Sequence, residues 1–318
     1  MLKVLIPEDI SEVGKNYLLE RGYDLKVGCA TDVETLRREV ADADALIVRN
    51  ARYPREVLAA GKRLKVVARH GTGVDNIDLQ AATELGIQVT NGPTANINAV
   101  AEYVVALVLA QACQIKAADL NCRSGNWRFR TQMPKTRREL KNSVVGIIGL
   151  GRVGTAVAEK LMNGFGVRVI AYNLVPPRIE HPLLTMAGSV DEVIADADIV
   201  TLHVPATPET KDMCDYAFFR KMKRGAYFIN CARGDVCVEA DLARALREGL
   251  LSGAALDVYR QEPISPDNEL LTMDNIIFSP HNASMSKESA DNMALHAAIG
   301  VDEVLTGKTP TWPVNRLK

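Results

Sequence analysis

Short runs of apolar residues recur along the whole chain, and segments with helical periodicity separate them. Several of these runs consist almost entirely of Val, Ile, Leu and Ala, as expected of parallel strands that are covered on both faces. Strands that alternate with amphipathic helices predict an α/β fold with doubly wound, Rossmann-like parallel sheets. The nine predicted strands span residues 2–6, 44–48, 65–69, 144–148, 167–171, 198–202, 226–230, 252–256 and 276–278.

Two of the intervening helices have clear start signals. Thr31 with Glu34, and Ser189 with Glu192, have the spacing of a capping box, in which a hydroxyl and a carboxylate satisfy the first N–H groups of a helix. Apolar residues follow each pair at the spacing of one helix face. We therefore expect helices to begin at both sites.

The chain also carries an internal repeat. Residues 41–48 and 194–200 share an acidic turn that leads into an apolar strand, which favours two Rossmann-like halves, although such turns are common in α/β proteins. The apolar helix 97–113 then connects the halves, and a helix over residues 287–304 returns the chain to the first one. We predict a discontinuous, flavodoxin-like domain of residues 1–97 plus 288–318 around a dinucleotide-binding domain of residues 98–287, with a cleft between them.

Composition narrows the classes of partner. The chain has 318 residues, 47% of them hydrophobic and 24% charged, which excludes an intrinsically disordered protein. Lys and Arg number 38 against 39 Asp and Glu, so no basic excess indicates nucleic acid. The longest apolar stretch, residues 99–113, is interrupted by Glu102 and is shorter than the roughly 18–20 residues that span a bilayer. We expect neither nucleic-acid nor membrane binding.

The N-terminus and the cysteines indicate a compartment. The first residues lead directly into a predicted strand, without the charged and long apolar regions of a signal peptide. The six cysteines include no C-x-x-C pair, which is typical of a reduced protein rather than of a disulfide framework or a zinc site. We expect a cytoplasmic protein without a bound metal.

The sharpest local signal is a glycine-rich turn between an apolar strand and a helix. Gly149, Gly151 and Gly154 have the G-x-G-x-x-G spacing, after strand 144–148 and before a helix predicted over residues 155–162. Gly149 permits the tight turn, Gly151 lets the backbone approach a pyrophosphate, and Gly154 allows close packing of strand and helix. The helix N-terminus adds N–H donors and positive potential for the anion. The segment predicts a dinucleotide site, the alternative being a turn whose glycines serve packing alone.

The residue that would read the cofactor ribose is Asn173, at the end of the next strand. An acidic residue is usual about 20 residues after the glycines, where it bonds the 2′-hydroxyl. An asparagine bonds a hydroxyl as well but does not repel a 2′-phosphate, and the nearest arginines are Arg152 and Arg178. We expect NAD as the cofactor, with NADP left open.

Three polar residues follow three of the later strands: Arg233, Glu262 and His281. Ligands of open α/β sheets bind at the carboxyl ends of strands. An arginine can hold a carboxylate with two hydrogen bonds, and a histidine can exchange a proton near neutral pH. A glutamate bonded to the other ring nitrogen would fix the tautomer of that histidine. Each residue alone is explained as well by a surface ion pair, a solvated acid or a cap, but together they favour reduction of a 2-oxo acid by a nicotinamide.

These motifs, in this order and over essentially the whole chain, resemble the D-isomer-specific 2-hydroxyacid dehydrogenase family. The family motifs include the segment of residues 69–78, and within the family the run 46–52 and the Gly-Thr-Gly-Val-Asp-Asn run of residues 71–76 are most similar to the phosphoglycerate dehydrogenases. The resemblance implies that Arg233, Glu262 and His281 form the catalytic set, that backbone N–H groups of residues 71–73 receive the substrate carboxylate, and that the protein is a homodimer. It places Asp257 at the nicotinamide carboxamide and His203, Val204, Pro205 and Thr210 along the adenosine. The full predicted cofactor set is Gly149, Gly151, Arg152, Val153, Gly154, Asn173, His203, Val204, Pro205, Thr210, Cys231, Ala232 and Asp257.

The substrate is less constrained than the reaction. Arg49 and Arg69 follow strands of the first domain and are candidates for binding a phosphate, although either can be a solvated surface residue. The predicted substrate contacts are Arg49, Arg69, Gly71, Thr72 and Gly73, and they favour 3-phosphoglycerate over hydroxypyruvate or glyoxylate. A cofactor-sensing, corepressor-type binding protein is the alternative from a different class. Two departures from the family pattern are Ala283, where a glycine is usual, and His70, where the phosphoglycerate enzymes often carry a small residue.

Overall fold

A computed structural model describes residues 1–133, 137, 139–175 and 179–317. The chain divides into two compact units, which we call the first unit (Met1–Ile97 with Met285–Lys318) and the second unit (Asn98–Ser284). The breaks between the units lie at 97/98 and 284/285. Each unit contains one parallel sheet covered by helices.

The first unit has a five-stranded sheet with the order β2-β1-β3-β4-β5, every neighbouring pair being parallel. Its strands are β1 (Lys3–Ile6), β2 (Asp24–Val27), β3 (Ala45–Val48), β4 (Val66–Arg69) and β5 (Gln88–Thr90). This is the strand order of flavodoxin-like folds, in which ligands bind where the order reverses, here between β1 and β3. The helices before the long connecting helix are α1 (Glu12–Leu19), α2 (Val33–Glu39), α3 (Arg55–Ala60) and α4 (Leu79–Glu84).

The second unit has a seven-stranded parallel sheet with the order β12-β11-β10-β9-β6-β7-β8. Its strands are β6 (Val144–Ile148), β7 (Arg168–Tyr172), β8 (Leu184–Met186), β9 (Ile199–Leu202), β10 (Ala226–Asn230), β11 (Leu251–Leu256) and β12 (Ile276–Phe278). The order reverses between β6 and β9, which is the expected place for a dinucleotide. The two parallel sheets confirm the predicted α/β class.

The remaining helices complete both units. They are α5 (Ile97–Ala112), α6 (Ile115–Arg123), α7 (Phe129–Gln132), α8 (Arg152–Phe165), α9 (Val190–Asp196), α10 (Tyr216–Lys221), α11 (Glu239–Arg247) and α12 (Lys287–Leu305). No single helix in the described ranges is long and apolar enough to cross a membrane. In the same ranges, α5 and α6 together have the required length and hydropathy, but the two helices are bent by 59° at the break between them. All six cysteines are free thiols, and no three potential metal ligands cluster in the described part of the chain.

Three strands escape sequence prediction because they lack the long apolar run of a central parallel strand. All three lie at a sheet edge. β2 and β8 keep partly exposed side chains, while β5 is buried but has polar residues, Gln88 and Thr90, on either side of Val89. Polar or exposed side chains interrupt the apolar run that burial on both faces produces, whereas the short edge strand β12 is apolar throughout and is predicted.

One of the two predicted capping boxes is correct. Ser189 Oγ accepts the N–H of Glu192 at 3.2 Å, and the Glu192 carboxylate accepts the N–H of Gly188 at 2.9 Å. The expectation for Thr31 and Glu34 is wrong, because Asp32 is the cap and its carboxylate accepts the N–H of Thr35 at 2.9 Å. With Asp32 as the N-cap, Thr35 is the third helical residue, and its N–H bonds to the cap. Glu34 is only the second helical residue, so it lies one position too early to complete a capping box.

The C-terminal helix α12 packs tightly against α1 within the first unit. A Cβ atom added at Gly14 would lie 2.6 Å from the carbonyl oxygen of Ala294. The hydroxyl of Tyr23 also donates to the Asp302 carboxylate at 2.9 Å. Glycine in α1 therefore allows the helix that returns from the other end of the chain to approach its backbone.

We expect Gly14→Ala to lower the stability of the protein even though alanine is the better helix former. The added methyl group meets rigid backbone, and overpacking of this kind costs about 1–3 kcal/mol, against a gain in helix propensity of about 1 kcal/mol. Gly164→Ala in α8 is the matched control, since a Cβ there meets no atom within 4 Å. Thermal unfolding should show a lower Tm for the first variant and an unchanged or higher Tm for the second. A rise in Tm for both would contradict the tight α1–α12 contact.

Candidate active site

The glycine loop after β6 has the geometry that an anion site requires. Gly149 has a φ of +99°, and a Cβ there would lie 2.6 Å from the carbonyl oxygen of His203. At Gly154 a Cβ would lie 2.1 Å from the Gly149 oxygen, so this glycine allows α8 to close on the turn. Gly151 caps α8, and no atom lies within 4 Å of a Cβ added to it. The first turn of α8, which begins with Arg152 and Val153, therefore faces open space that fits a pyrophosphate.

Asn173 belongs to this loop through two hydrogen bonds. Its Oδ1 accepts the N–H of Leu150 at 2.9 Å, and its Nδ2 donates to the Val175 oxygen at 2.6 Å. The side chain thus joins the end of β7 to the glycine turn and adds no negative charge there. Arg178, the other arginine considered for a cofactor phosphate, lies outside the described residues.

The segment after β9 carries four further predicted cofactor residues, His203, Val204, Pro205 and Thr210. Burial lowers the pKa of His203 to about 4, so its ring is neutral at physiological pH, and its Nε2 lies 3.2 Å from Thr201 Oγ1. Thr210 Oγ1 donates to the Pro205 oxygen at 2.6 Å and accepts the Thr207 N–H at 2.9 Å. These contacts order the segment beside the glycine loop.

His281 and Glu262 form a hydrogen-bonded pair at the end of neighbouring strands. His281 Nδ1 lies 2.6 Å from Glu262 Oε2, while Glu262 Oε1 accepts the N–H of Tyr259 at 3.0 Å. Partial burial acts to raise the pKa of Glu262, but its hydrogen bonds and the charges of His281 and Arg233 outweigh burial, so the pKa lies below its ordinary value. The carboxylate is therefore ionised near neutral pH and can only accept, which places a proton on Nδ1 and leaves Nε2 for exchange with a ligand.

Arg233 follows β10 by three residues, and its positive charge helps to lower the pKa of Glu262. Asn230, which is 1% exposed, orders the turn: it accepts the Ala232 N–H at 2.9 Å and donates to the Arg233 oxygen at 2.9 Å. The guanidinium also donates to the Ala232 oxygen at 2.7 Å. Burial raises the pKa of the neighbouring Cys231 thiol, so this predicted cofactor residue stays protonated.

Asp257 has a different observed role from the one that the resemblance implies. It is 1% exposed, and its two carboxylate oxygens accept the N–H groups of Asn282 and Ala283, each at 2.9 Å, and the hydroxyl of Ser279. These bonds hold the turn in which His281 adopts a left-handed φ of +50°. Contact of Asp257 with a nicotinamide stays a prediction, whereas its clamp on the histidine turn is observed.

Sequence reasoning missed three residues that assemble this site: Asn230, Gly234 and Tyr259. A Cβ at Gly234 would lie 2.0 Å from the carbonyl group of Tyr259, so the segments after β10 and β11 pass backbone against backbone. The Tyr259 hydroxyl lies 3.0 Å from the Leu256 oxygen and 2.9 Å from the Ser279 oxygen. An asparagine at the end of an apolar strand is a signal for such a turn, but nothing in the sequence shows which segments meet.

The loop of residues 71–73 in the first unit is held through its carbonyl groups. The Gly71 oxygen accepts the N–H of Gly92 at 2.8 Å, and the Thr72 oxygen accepts the side-chain amide of Asn91 at 2.7 Å. The Gly73 oxygen accepts the Nε–H of Arg69 at 2.7 Å. None of the three loop N–H groups has a hydrogen-bond acceptor in the part of the chain that the structure describes. Gly71 has a φ of +131°, which a side chain would disfavour. This arrangement suits capture of a carboxylate.

The two candidate arginines of the first unit differ in their contacts. Arg69 is half-buried and donates to the oxygens of Gly73, Val48 and His70, at 2.7, 3.3 and 2.6 Å, so it braces the loop, while its contact with a substrate stays a prediction. Arg49 donates through Nη1 to the Asp9 oxygen at 2.7 Å. Burial and then the charges of Arg49 and Arg69 lower the pKa of His70 to about 4, so these side chains cluster around a neutral ring.

Comparison with known proteins gives the family of the chain. The profile of the NAD binding domain of D-isomer specific 2-hydroxyacid dehydrogenases matches residues 105–283. The D-3-phosphoglycerate dehydrogenase of Archaeoglobus fulgidus is 38% identical over 311 residues, which are 96% of this chain and 58% of that protein. The glyoxylate reductase of Thermofilum pendens is 39% identical over 293 residues, which are 89% of this chain and 84% of that protein. A crystal structure from Thermus thermophilus has a TM-score of 0.91 at 34% identity and covers 99% of this chain and 100% of that chain.

The chain therefore belongs to the D-isomer specific 2-hydroxyacid dehydrogenase family, which confirms the resemblance seen in its motifs. It spans 50–60% of the length of three phosphoglycerate dehydrogenases that it matches. Phosphoglycerate dehydrogenases and glyoxylate reductases are similar to it at nearly equal identity, so similarity alone does not select a substrate.

Proposed function

We propose that this chain is an NAD(P)-dependent dehydrogenase that interconverts D-2-hydroxy acids and 2-oxo acids. The observation that carries the proposal is the 2.6 Å hydrogen bond between His281 and the ionised Glu262, on the sheet edge that also holds the glycine loop. A histidine oriented by a carboxylate beside an arginine is suited to exchange a proton with a substrate oxygen.

The residues of the chain divide the work of this reaction. When bound, the nicotinamide supplies the hydride for reduction of the 2-oxo carbon. His281 Nε2 gives the proton to the substrate oxygen during reduction and takes it back during oxidation, while Glu262 holds Nδ1–H and stabilises the imidazolium that forms on oxidation. Arg233 pairs with the carboxylate end of the substrate. In the first unit, the N–H groups of residues 71–73 are proposed to receive the substrate carboxylate.

The direct test is steady-state turnover with NADH and a panel of 2-oxo acids that includes glyoxylate, hydroxypyruvate and phosphohydroxypyruvate. We expect oxidation of NADH by the wild type, and a loss of turnover of roughly 10²–10⁴-fold in His281→Ala, the range of a general acid–base. NADH binding, followed by fluorescence, should persist in the variant because the glycine loop is intact. Inactivity of the wild type on every acid, with NADH still bound, would favour a cofactor-sensing binding protein instead.

For the substrate, we propose 3-phosphoglycerate, with hydroxypyruvate or glyoxylate as the alternative. Arg49 supports this choice, since it follows β3 where the strand order of the first sheet reverses, and only its Nη1 group has an observed bond in the described residues. The Glu8 carboxylate accepts the N–H of Asn50 at 2.8 Å and orders the turn behind the arginine. A guanidinium held in this way matches the geometry of a phosphate.

We expect Arg49→Ala to raise the KM for the phosphorylated substrate far more than the KM for glyoxylate. Loss of one charge-assisted contact corresponds to about 1.5–3 kcal/mol, or roughly 10–150-fold in affinity. Arg52→Ala, an exposed arginine three residues further on, is the matched control and should leave both values nearly unchanged. Equal losses for the two substrates in Arg49→Ala would exclude Arg49 as the phosphate contact.

For the cofactor, we propose NAD as the preferred form and NADP as an accepted one, because Asn173 adds no charge where the adenosine ribose is expected. Asn173→Asp should lower the use of NADPH relative to NADH by roughly tenfold or more, since a carboxylate bonds the 2′-hydroxyl and repels the 2′-phosphate. The variant also loses the bond to the Val175 oxygen, so the ratio of the two kcat/KM values is the quantity to compare. An unchanged ratio would remove Asn173 from cofactor selection.

We propose that two copies of the chain associate through an arm formed by residues 113–133. This segment contains α6 and α7, and none of its side chains is buried. Ile115, Leu120 and Trp127 are 57%, 45% and 72% exposed there, which is typical of a surface that a partner covers.

The six free thiols support the cytoplasm as the location.

A further inference from the structure

Three loops at the carboxyl edge of the second sheet carry the predicted site residues. We call them the β9 loop (residues 203–215), the β10 loop (residues 231–238) and the β11 loop (residues 257–268). The β9 loop contains Thr210, the β10 loop contains Arg233, and the β11 loop contains Glu262. Each loop follows a different strand, so their relative positions depend on contacts between them.

Arg260 makes contacts with both of the other loops. It lies two residues before Glu262, and its Nε donates to the Cys237 oxygen of the β10 loop at 2.9 Å. Its guanidinium also forms an ion pair with Asp212 of the β9 loop. Its backbone N–H donates to Glu239 Oε1 at 2.8 Å, at the start of α11. One side chain therefore joins the loop that carries Glu262 to the two loops beside it.

The partner of Arg260 is itself held in a specific conformation. Asp212 has a φ of +57°, a left-handed conformation that aspartate and asparagine tolerate better than other side chains. Its N–H donates to the Asp235 oxygen of the β10 loop at 2.9 Å. The β9 loop is thus already tied to the β10 loop by its backbone, and the carboxylate adds a tie to the β11 loop.

The backbones of the β10 and β11 loops also touch directly. A Cβ at Gly234 would lie 2.6 Å from the Arg260 nitrogen, so no side chain separates the two loops. The Arg260 and Asp212 side chains are 35% and 45% exposed, and an ion pair with that exposure adds little to global stability. Its effect is to fix geometry, because a planar guanidinium with two partners restrains both of them.

We infer that Arg260 is a positioning residue that couples the cofactor-side β9 loop to the alignment of Glu262 and His281. This inference rests on the proposed function for its kinetic consequences, but the loop contacts that it describes do not depend on which acid is the substrate. Release of Asp212 frees the β9 loop near Thr210, and release of the Cys237 oxygen frees the β11 loop next to Glu262.

The experiment compares NADH affinity and steady-state kinetics in Arg260→Met, Asp212→Asn, the double variant and Arg260→Lys. Arg260→Met keeps the length of the side chain and removes its donors, and Asp212→Asn removes the charge but keeps the left-handed preference. We expect Arg260→Met to raise the Kd of NADH about three- to tenfold and to lower kcat roughly tenfold, since a shift of about 1 Å can cost about a hundredfold. Asp212→Asn should reproduce the change in Kd, and the double variant should bind NADH no worse than Arg260→Met.

Arg260→Lys separates the two contacts. A lysine can retain the pairing with Asp212 but lacks the fork that also reaches the Cys237 oxygen. In Arg260→Lys we expect the Kd of NADH to return toward the wild-type value, while kcat stays as low as in Arg260→Met. Lys221→Met is the matched control, because it breaks another exposed ion pair of the second unit, the one between α10 and Asp191 of α9, away from the three loops. It should change Tm as little as Arg260→Met does and leave Kd and kcat unchanged.

The outcomes separate this inference from the proposed function. Unchanged NADH affinity and kcat in Arg260→Met, or effects of Arg260→Met and Asp212→Asn that simply add in the double variant, would overturn the coupling. If the wild type binds NADH but reduces none of the 2-oxo acids, the proposed function fails, and the NADH Kd values of the four variants still decide whether Arg260 and Asp212 act as one unit. Equal changes in Kd in Lys221→Met would show a nonspecific loss of structure and also overturn it.

Discussion

The parallel pairing of β10, β11 and β12 is the constraint on which the candidate site depends. Neighbouring strands in a parallel sheet lie about 4.8 Å apart and end at the same edge. Residues far apart in sequence, such as Arg233 and His281, are brought to one edge because each follows one of these strands. The glycine loop follows β6 at the same edge of the same sheet. One hydrogen-bonded sheet therefore gathers both the cofactor loop and the proton-transfer pair.

Sheet pairing alone does not orient the side chains, and buried polar contacts provide the orientation. The Asp257 carboxylate holds the turn of His281, and the Tyr259 N–H and hydroxyl connect Glu262 with the strand ends on either side. Such groups are costly to bury without partners, so their hydrogen bonds specify one arrangement of the turn. The His281 ring can then remain partly exposed to a ligand while its backbone is fixed.

Much of the fold and of the site could be predicted because the responsible signals are local. The central strands appear as apolar runs, and Gly149 and Gly154 each occupy a position where the turn requires a glycine. The capping prediction that failed concerns a group whose partner is ambiguous in sequence. Thr31 competes with Asp32 for the same helix cap, and the Asp32 carboxylate takes it. A side chain's direction depends on neighbours that a one-dimensional pattern does not show.

The sequence by itself determined the α/β class, the dinucleotide loop and the identity of the polar residues at the strand ends, because periodicity and glycine spacing are properties of contiguous residues. Only the tertiary structure decided that Glu262 bonds His281, that Asp257 clamps the histidine turn and that Arg260 joins three loops. Those contacts link loops that follow different strands, and their geometry depends on strand order and on close approaches such as that of Gly234 to Tyr259. Strand order is itself a long-range property, since it is set by which apolar faces pack together and not by any one segment.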